Sequence, residues 1–291
     1  MGKGLDMKGG GESYTTKENG LPDKVDRFPV LCPQVEAAAR ESRGDSGSEY
    51  NQSHTESKPK VDCGMQQERL EALVRTLSPA RLGPYGAHRE NPEQLAGMNL
   101  YAWNAQLSSC MLLPLHFCEV TLRNAVSEAI GRVYGPDWPW HSGFEGSLPS
   151  KFGGRYKPCL DLRNARESIG AERLTGKVIP ELKPVFWLQM LRAKNLGRIW
   201  LPSIKTVFPH APSDQPADEI RESLYDDWKH VKDVRNRIAH HEPILKRNHV
   251  EDFDRMCRIV GWRCDHTLQW MLQLERFQEI LANHPFPQVN G

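Results

Sequence analysis

The chain has 291 residues, and its 38 Lys and Arg are balanced by 37 Asp and Glu, a formal net charge of +1. Such neutrality excludes a protein that coats nucleic acid through a broad basic surface, while leaving room for a small basic site. Only 38% of the residues are apolar, and 23 Gly and 21 Pro dilute the chain further.

The composition is uneven. All eight Trp lie between Trp103 and Trp270, whereas residues 1–63 have only Tyr14, Phe28 and Tyr50 as aromatics. Stretches such as 1–11 and 41–59 bring too little apolar surface to offset chain entropy, so residues 1–64 are expected to form a disordered or weakly ordered tail. Residues 1–63 carry 9 basic and 11 acidic side chains, which leaves 29 and 26 in the rest. Residues 65–291 are enough for one well-buried domain.

No run reaches about 18 uncharged apolar residues, so no membrane-spanning helix is expected. The first residues lack the apolar core of a secretory signal. The seven Cys are odd in number and form no C-x-x-C pair, which fits free thiols in a reducing cytoplasm. Cys257, Cys264 and His266 are a conceivable zinc set, but packing of small apolar thiols is the expectation. The reading calls for no metal and no cofactor.

In chain order, a helix is expected over Gln66–Leu77, before Ser78-Pro79. Next, Leu95, Met98, Trp103, Leu107, Met111, Leu115, Cys118, Leu122, Val126 and Ile130 fall mostly three or four apart, one buried stripe on a long helix. Pro114 should kink or split it, and Gly131, Gly135 and Pro136 should end it. Helices are further expected at Leu160–Ile169, at Val178–Leu191, where Pro180 and Pro184 limit the start, and at Ile199–Phe208, with a loop at Ser213–Pro216. Ile220, Leu224, Trp228, Val231, Val234 and Ile238 step by three or four along another helix. Asp218 and Glu219 favour its N-terminus, and Pro243 marks its end. Two more helices are expected near Asn248–Trp262 and Asp265–Ala282. No strand-like alternation appears, so the fold class is all-α, a helical bundle.

The segment Asp233–Pro243 is the richest in chemistry. Val234 and Ile238 face inward, while Asn236 and His240 lie about 200° around the helix from that stripe and are neighbours at i and i+4. Asp233 and Arg237 share this outward face, flanked by Arg235 and His241. Arg offers a fork to phosphate, His moves protons near neutral pH, and Asn orients either. A solvated polar helix end or a simple cap is the competing reading. Between Lys229 and His249 six Lys and Arg face two acids, and four of the eleven His fall in the same window. Glu119, Arg123 and Asn124 form a second group. An i,i+4 ion pair accounts for the first two; lining the same cleft as Arg235 is the alternative. Trp103, Phe186 and Trp187 are assigned to the core. Tyr101 stays open between packing and stacking on RNA bases.

Arg235-Asn-Arg-Ile-Ala-His240 resembles the R-N-x-x-x-H signature of HEPN domains, which are all-α. Leu100–Ser108, Glu119–Asn124, Phe186-Trp187, Ile199–Pro202 and Arg235–Pro243 follow the order seen in bacterial Abi-like (abortive infection) proteins, a resemblance over roughly residues 65–280. It implies a metal-independent endoribonuclease and a cytoplasmic toxin or phage-defence effector. RNA is its substrate, a homodimer with a composite cleft its working form, and a neutralising antitoxin a partner. On that pattern Arg235 binds the scissile phosphate, His240 is general acid or base, and Asn236 orients the pair. Glu119, Arg123, Arg237 and His241 are accessory. His241 departs from a single-His pattern, so which of the two is catalytic stays open. A non-catalytic module that binds nucleotide or RNA, or only dimerises, would use the same residues.

Overall fold

The computed structural model describes residues 67–86, 93–149 and 156–286. The tail expected over residues 1–64 lies outside them. The described residues contain no strand and twelve α-helices: α1 Gln67–Leu77, α2 Pro79–Leu82, α3 Glu93–Tyr134, α4 Ser142–Ser147, α5 Pro158–Ser168, α6 Thr175–Glu181, α7 Pro184–Met190, α8 Leu201–Val207, α9 Ala217–Ala239, α10 His249–Arg263, α11 Asp265–Leu274 and α12 Phe277–Ala282. The all-α expectation holds. None of these helices is long and apolar enough to cross a membrane.

The organising element is α3, whose 42 residues span about 63 Å at helical rise. It touches every helix from α6 to α12. Its stripe from Trp103 to Ile130 is buried as the periodicity predicts. Of the two outcomes expected at Pro114, a kink or a split, the split does not occur; the helix runs through it. A proline removes one backbone hydrogen bond, and here Met111, Leu115 and Cys118 on the same turns are locked in the core on both sides of it. Ahead of α3, Leu70, Leu73, Val74 and Leu77 of α1 pack with Leu82, Leu95, Met98 and Tyr101 in a separate small cluster.

Two expected helices are each broken in two. Val178–Leu191 divides at Leu182 and Lys183, which are extended (ψ 132° and 150°). Pro184 forces this, because the residue before proline is driven out of helical geometry. The freed Lys183 N–H donates to the buried carboxylate of Asp161 at 3.2 Å. Asp265–Ala282 breaks at Glu275 and Arg276, where the Glu275 carboxylate turns back to accept from the Phe277 N–H. Phe277 then stacks on Phe253, ring centroids 4.5 Å apart. The short helices Trp138–Trp140 and α4 lie between α3 and α5, in a stretch without helical periodicity.

Helix α9 carries the candidate site residues Arg235, Asn236 and Arg237. Its inward face holds Ile220, Leu224, Trp228, Val231, Val234 and Ile238. Asp227 shares that face at 1% exposure, and α10 supplies its counter-charges: Arg255 at 2.9 Å and Arg258 at 2.6 and 2.7 Å. Removing one member of such a buried set is costly because the other charges stay behind, so α9 and α10 are bound as a unit. On α10, Asp254 has a buried Oδ1 that hydrogen-bonds to no described residue. Burial raises its carboxyl to about 6. A carboxyl raised in the folded state is harmless below its unfolded value near 4 and destabilising once pH exceeds about 6. Asp254→Asn is therefore expected to stabilise the protein by about 1 kcal/mol at alkaline pH, after allowance for solvent screening, with no gain at acid pH. Urea unfolding at both pH values checks this; equal gains at both would contradict it.

Candidate functional site

The C-terminal end of α9 is a built corner. The His240 N–H donates to the Asn236 carbonyl at 3.0 Å, the His241 N–H to Ile238 at 3.0 Å, and the Glu242 N–H to Arg237 at 2.8 Å. The last two bonds form a Schellman cap. The cap requires a left-handed residue, and His241 fills that position with φ +55°. Glycine would adopt it without strain. His241→Gly is accordingly expected to raise stability by up to about 1 kcal/mol, measured by thermal melting; a lower midpoint would mean that the imidazole itself stabilises the corner.

Distant parts of the chain hold the corner from outside. Arg81 of α2 donates from Nη1 to the His241 carbonyl at 2.7 Å. Asn104 of α3 accepts the Ile244 N–H at 3.0 Å, in the core. The Ile244 carbonyl accepts from His249 Nε2 at 2.9 Å. Burial holds His249 below the ordinary imidazole range, which suits a neutral ring packed edge-on against Trp103. The Leu100–Ser108 segment thus contributes to the corner through Asn104.

On this scaffold Arg235 and Asn236 are half-buried, and Arg237, His240 and His241 are exposed. One detail differs from the sequence reading. The last helical residue is Ala239, and His240 is the capping residue beyond it (φ −95°, ψ 8°). The cause is the Schellman cap, which closes the helix one residue before the first imidazole. Among the described residues none hydrogen-bonds to the side chains of Asn236, His240 or His241. Arg237 instead closes the turn: its Nη1 lies 3.4 Å from the Pro243 carbonyl and 3.5 Å from Glu242.

The second group comes to the same place. Glu119 and Arg123 of α3 form a close i,i+4 ion pair, both half-buried. The other oxygen of Glu119 lies 3.5 Å from Arg235 Nε on α9. Glu119 thus pairs within its helix and also comes within ion-pair distance of Arg235 on α9. Burial, and secondly the charge of Arg235, pull the Arg123 guanidinium below its ordinary value. Asn124 is exposed on α3 and turned away from the bundle interior.

The assigned core aromatics are buried: Trp103 donates to the Ile280 carbonyl at 2.9 Å, and Phe186 and Trp187 are fully enclosed. Tyr101 is half-buried, edge-to-face with Tyr85 at 5.2 Å, so packing occupies its ring. Cys257 lies in the core and His266 is exposed. Among the described residues no three His, Cys, Asp or Glu side chains are grouped to hold a metal ion.

Sequence reasoning missed Arg81 and Asn104. Their partners are 160 and 140 residues away, and no local pattern announces a contact at that range. A scan against protein-family models returned no match, and searches of curated proteins and of solved structures returned none either.

Proposed function

We propose that this chain is a metal-independent endoribonuclease of the HEPN type, a toxin or phage-defence effector that cuts RNA as a homodimer. The observation that carries the reading is the corner itself. It presents an Arg, an amide and an imidazole at one capped helix end, with Arg235 steadied by a carboxylate and His240 open to solvent.

The chemistry those groups support is internal transesterification. One imidazole takes the proton of a ribose 2′-hydroxyl, and that oxygen attacks the adjacent phosphorus. The bond to the 5′-oxygen breaks, and a second imidazole returns a proton to the leaving oxygen. The products are a 2′,3′-cyclic phosphate and a 5′-hydroxyl. Arg235 binds the phosphate and offsets the charge that grows on its oxygens. Asn236, one turn before His240, orients the nucleophile or the imidazole. Two imidazoles are needed, and a second copy of the chain brings the other, with His241 as the alternative within one copy. RNA supplies its own nucleophile, so no metal enters the scheme.

The test is purified protein on total cellular RNA in EDTA. Wild type is expected to cleave, and Arg235→Ala to lose roughly 100- to 1000-fold in rate. RNA that is bound but never cut by wild type would replace this reading with that of a non-catalytic RNA-binding module.

A further inference from the structure

The environment of Arg235 differs from an ordinary ion pair in one respect. A lone carboxylate 3.5 Å from its Nε would make a neutral pair, and a neutral pair attracts a phosphate poorly. Here the carboxylate is shared. Glu119 makes its close contact with Arg123 through Oε1 and its looser one with Arg235 through Oε2. The separation from Arg235 exceeds that of a good hydrogen bond. The Arg235 side chain is 38% exposed, against 15% for Glu119 and 15% for Arg123. Arg123 Nε is buried and hydrogen-bonds to no described residue. Arg235 is thus the most exposed of the three, Glu119 lies between the two guanidinium groups, and the three charges sum to +1.

We infer that Glu119 and Arg123 are positioning residues for Arg235: the carboxylate anchors Arg235 by its Nε side and turns its two-nitrogen fork outward, and Arg123 offsets the carboxylate so that the cluster keeps a net positive charge for an RNA phosphate. The inference rests on the reading of Arg235 as the phosphate ligand. It goes further in giving the two residues of α3 opposite effects on RNA affinity. Arg123 promotes binding without touching the substrate. Glu119 weakens binding while fixing the geometry that cleavage needs.

The experiment measures fluorescence anisotropy of a labelled, fully 2′-O-methylated single-stranded oligoribonucleotide, which has no free 2′-hydroxyl and is not cut. Arg123→Gln, which neutralises the cluster, is expected to weaken binding by about tenfold at low salt. Arg123→Lys keeps the charge and is expected to bind like wild type. Glu119→Gln is expected to tighten binding by roughly threefold to tenfold, yet to lower kcat on unmodified RNA. The double variant Glu119→Gln/Arg123→Gln is expected to return to wild-type affinity, because Arg235 alone again carries +1.

A purely structural pair would behave otherwise: every variant would bind equally or more weakly, in step with its loss of thermal stability. Weaker binding by Glu119→Gln, or unchanged binding by Arg123→Gln, overturns the inference. If Arg123→Gln fails to fold, the Glu119→Gln arm still decides, since misfolding does not tighten binding. Arg235→Gln separates the two levels. If it leaves affinity unchanged, the phosphate role of Arg235 fails. If it weakens binding while the α3 variants show no opposite signs, the inference alone fails.

Discussion

Replacing His240 by alanine is expected to lower the rate of RNA cleavage by at least about 100-fold while leaving the fold intact, since a positioned general acid or base contributes 10²–10⁴-fold. The imidazole is exposed and bonds to no described side chain, so its removal costs little packing. The backbone of residue 240 stays where it is, because its N–H bond to Asn236 and the cap bonds of His241 and Glu242 involve main-chain atoms. The loss should appear in kcat, with affinity for uncut RNA near wild type. His241→Ala is the internal comparison. Its carbonyl is held by Arg81, so the turn persists, and a smaller loss there would assign the catalytic proton transfer to His240. Single-turnover cleavage with anisotropy binding checks both. A His240→Ala protein that cuts as fast as wild type would remove the imidazole from the chemistry.

Trp228→Ala is expected to have the largest effect on stability, roughly 4 kcal/mol or more. Trp228 is fully buried on the inward face of α9. Truncating a buried Trp or Phe to Ala costs about 3–5 kcal/mol through lost transfer energy and the cavity left behind. Its Nε1 also donates to the Pro184 carbonyl at the start of α7, at 3.0 Å, and losing such a bond adds about 1 kcal/mol. Domains of this size are stable by about 5–15 kcal/mol, so the variant should melt far earlier or be partly unfolded at 37 °C, a temperature at which margins are already thin. Urea unfolding followed by circular dichroism measures the loss. Trp228→Phe, which fills most of the space, should recover more than half of it. A loss below about 1 kcal/mol for the alanine variant would mean that α9 is not anchored by this face.

What the sequence made legible was what repeats locally. The stripes of α3 and α9 were readable because a helix returns to the same face every three or four residues, and burial then selects apolar side chains at those steps. The outward placement of Asn236 and His240 followed from the same arithmetic. The break at Lys183 had a local signal in Pro184, which outweighs the apolar run around it. The break at Glu275 had none: neither Gly nor Pro marks it, and a side-chain bond to the next turn makes it. Pro114 does not split its helix, because tertiary packing on both sides outweighs one missing backbone bond. Asp227 was invisible as a buried charge, since its partners Arg255 and Arg258 sit on another helix. Arg81 and Asn104 belong to the same class; long-range pairing leaves no trace in spacing.

The central claim is that the capped end of α9 cuts RNA through the ribose 2′-hydroxyl. The most direct measurement uses two oligoribonucleotides of one sequence, the second carrying a single 2′-deoxy sugar immediately before the bond that wild type cuts, both incubated with the protein in EDTA. The account predicts that the first is cleaved to a 2′,3′-cyclic phosphate and a 5′-hydroxyl, and that the second is bound equally but left whole. Cleavage of the deoxy-substituted strand at the same bond and the same rate would contradict it.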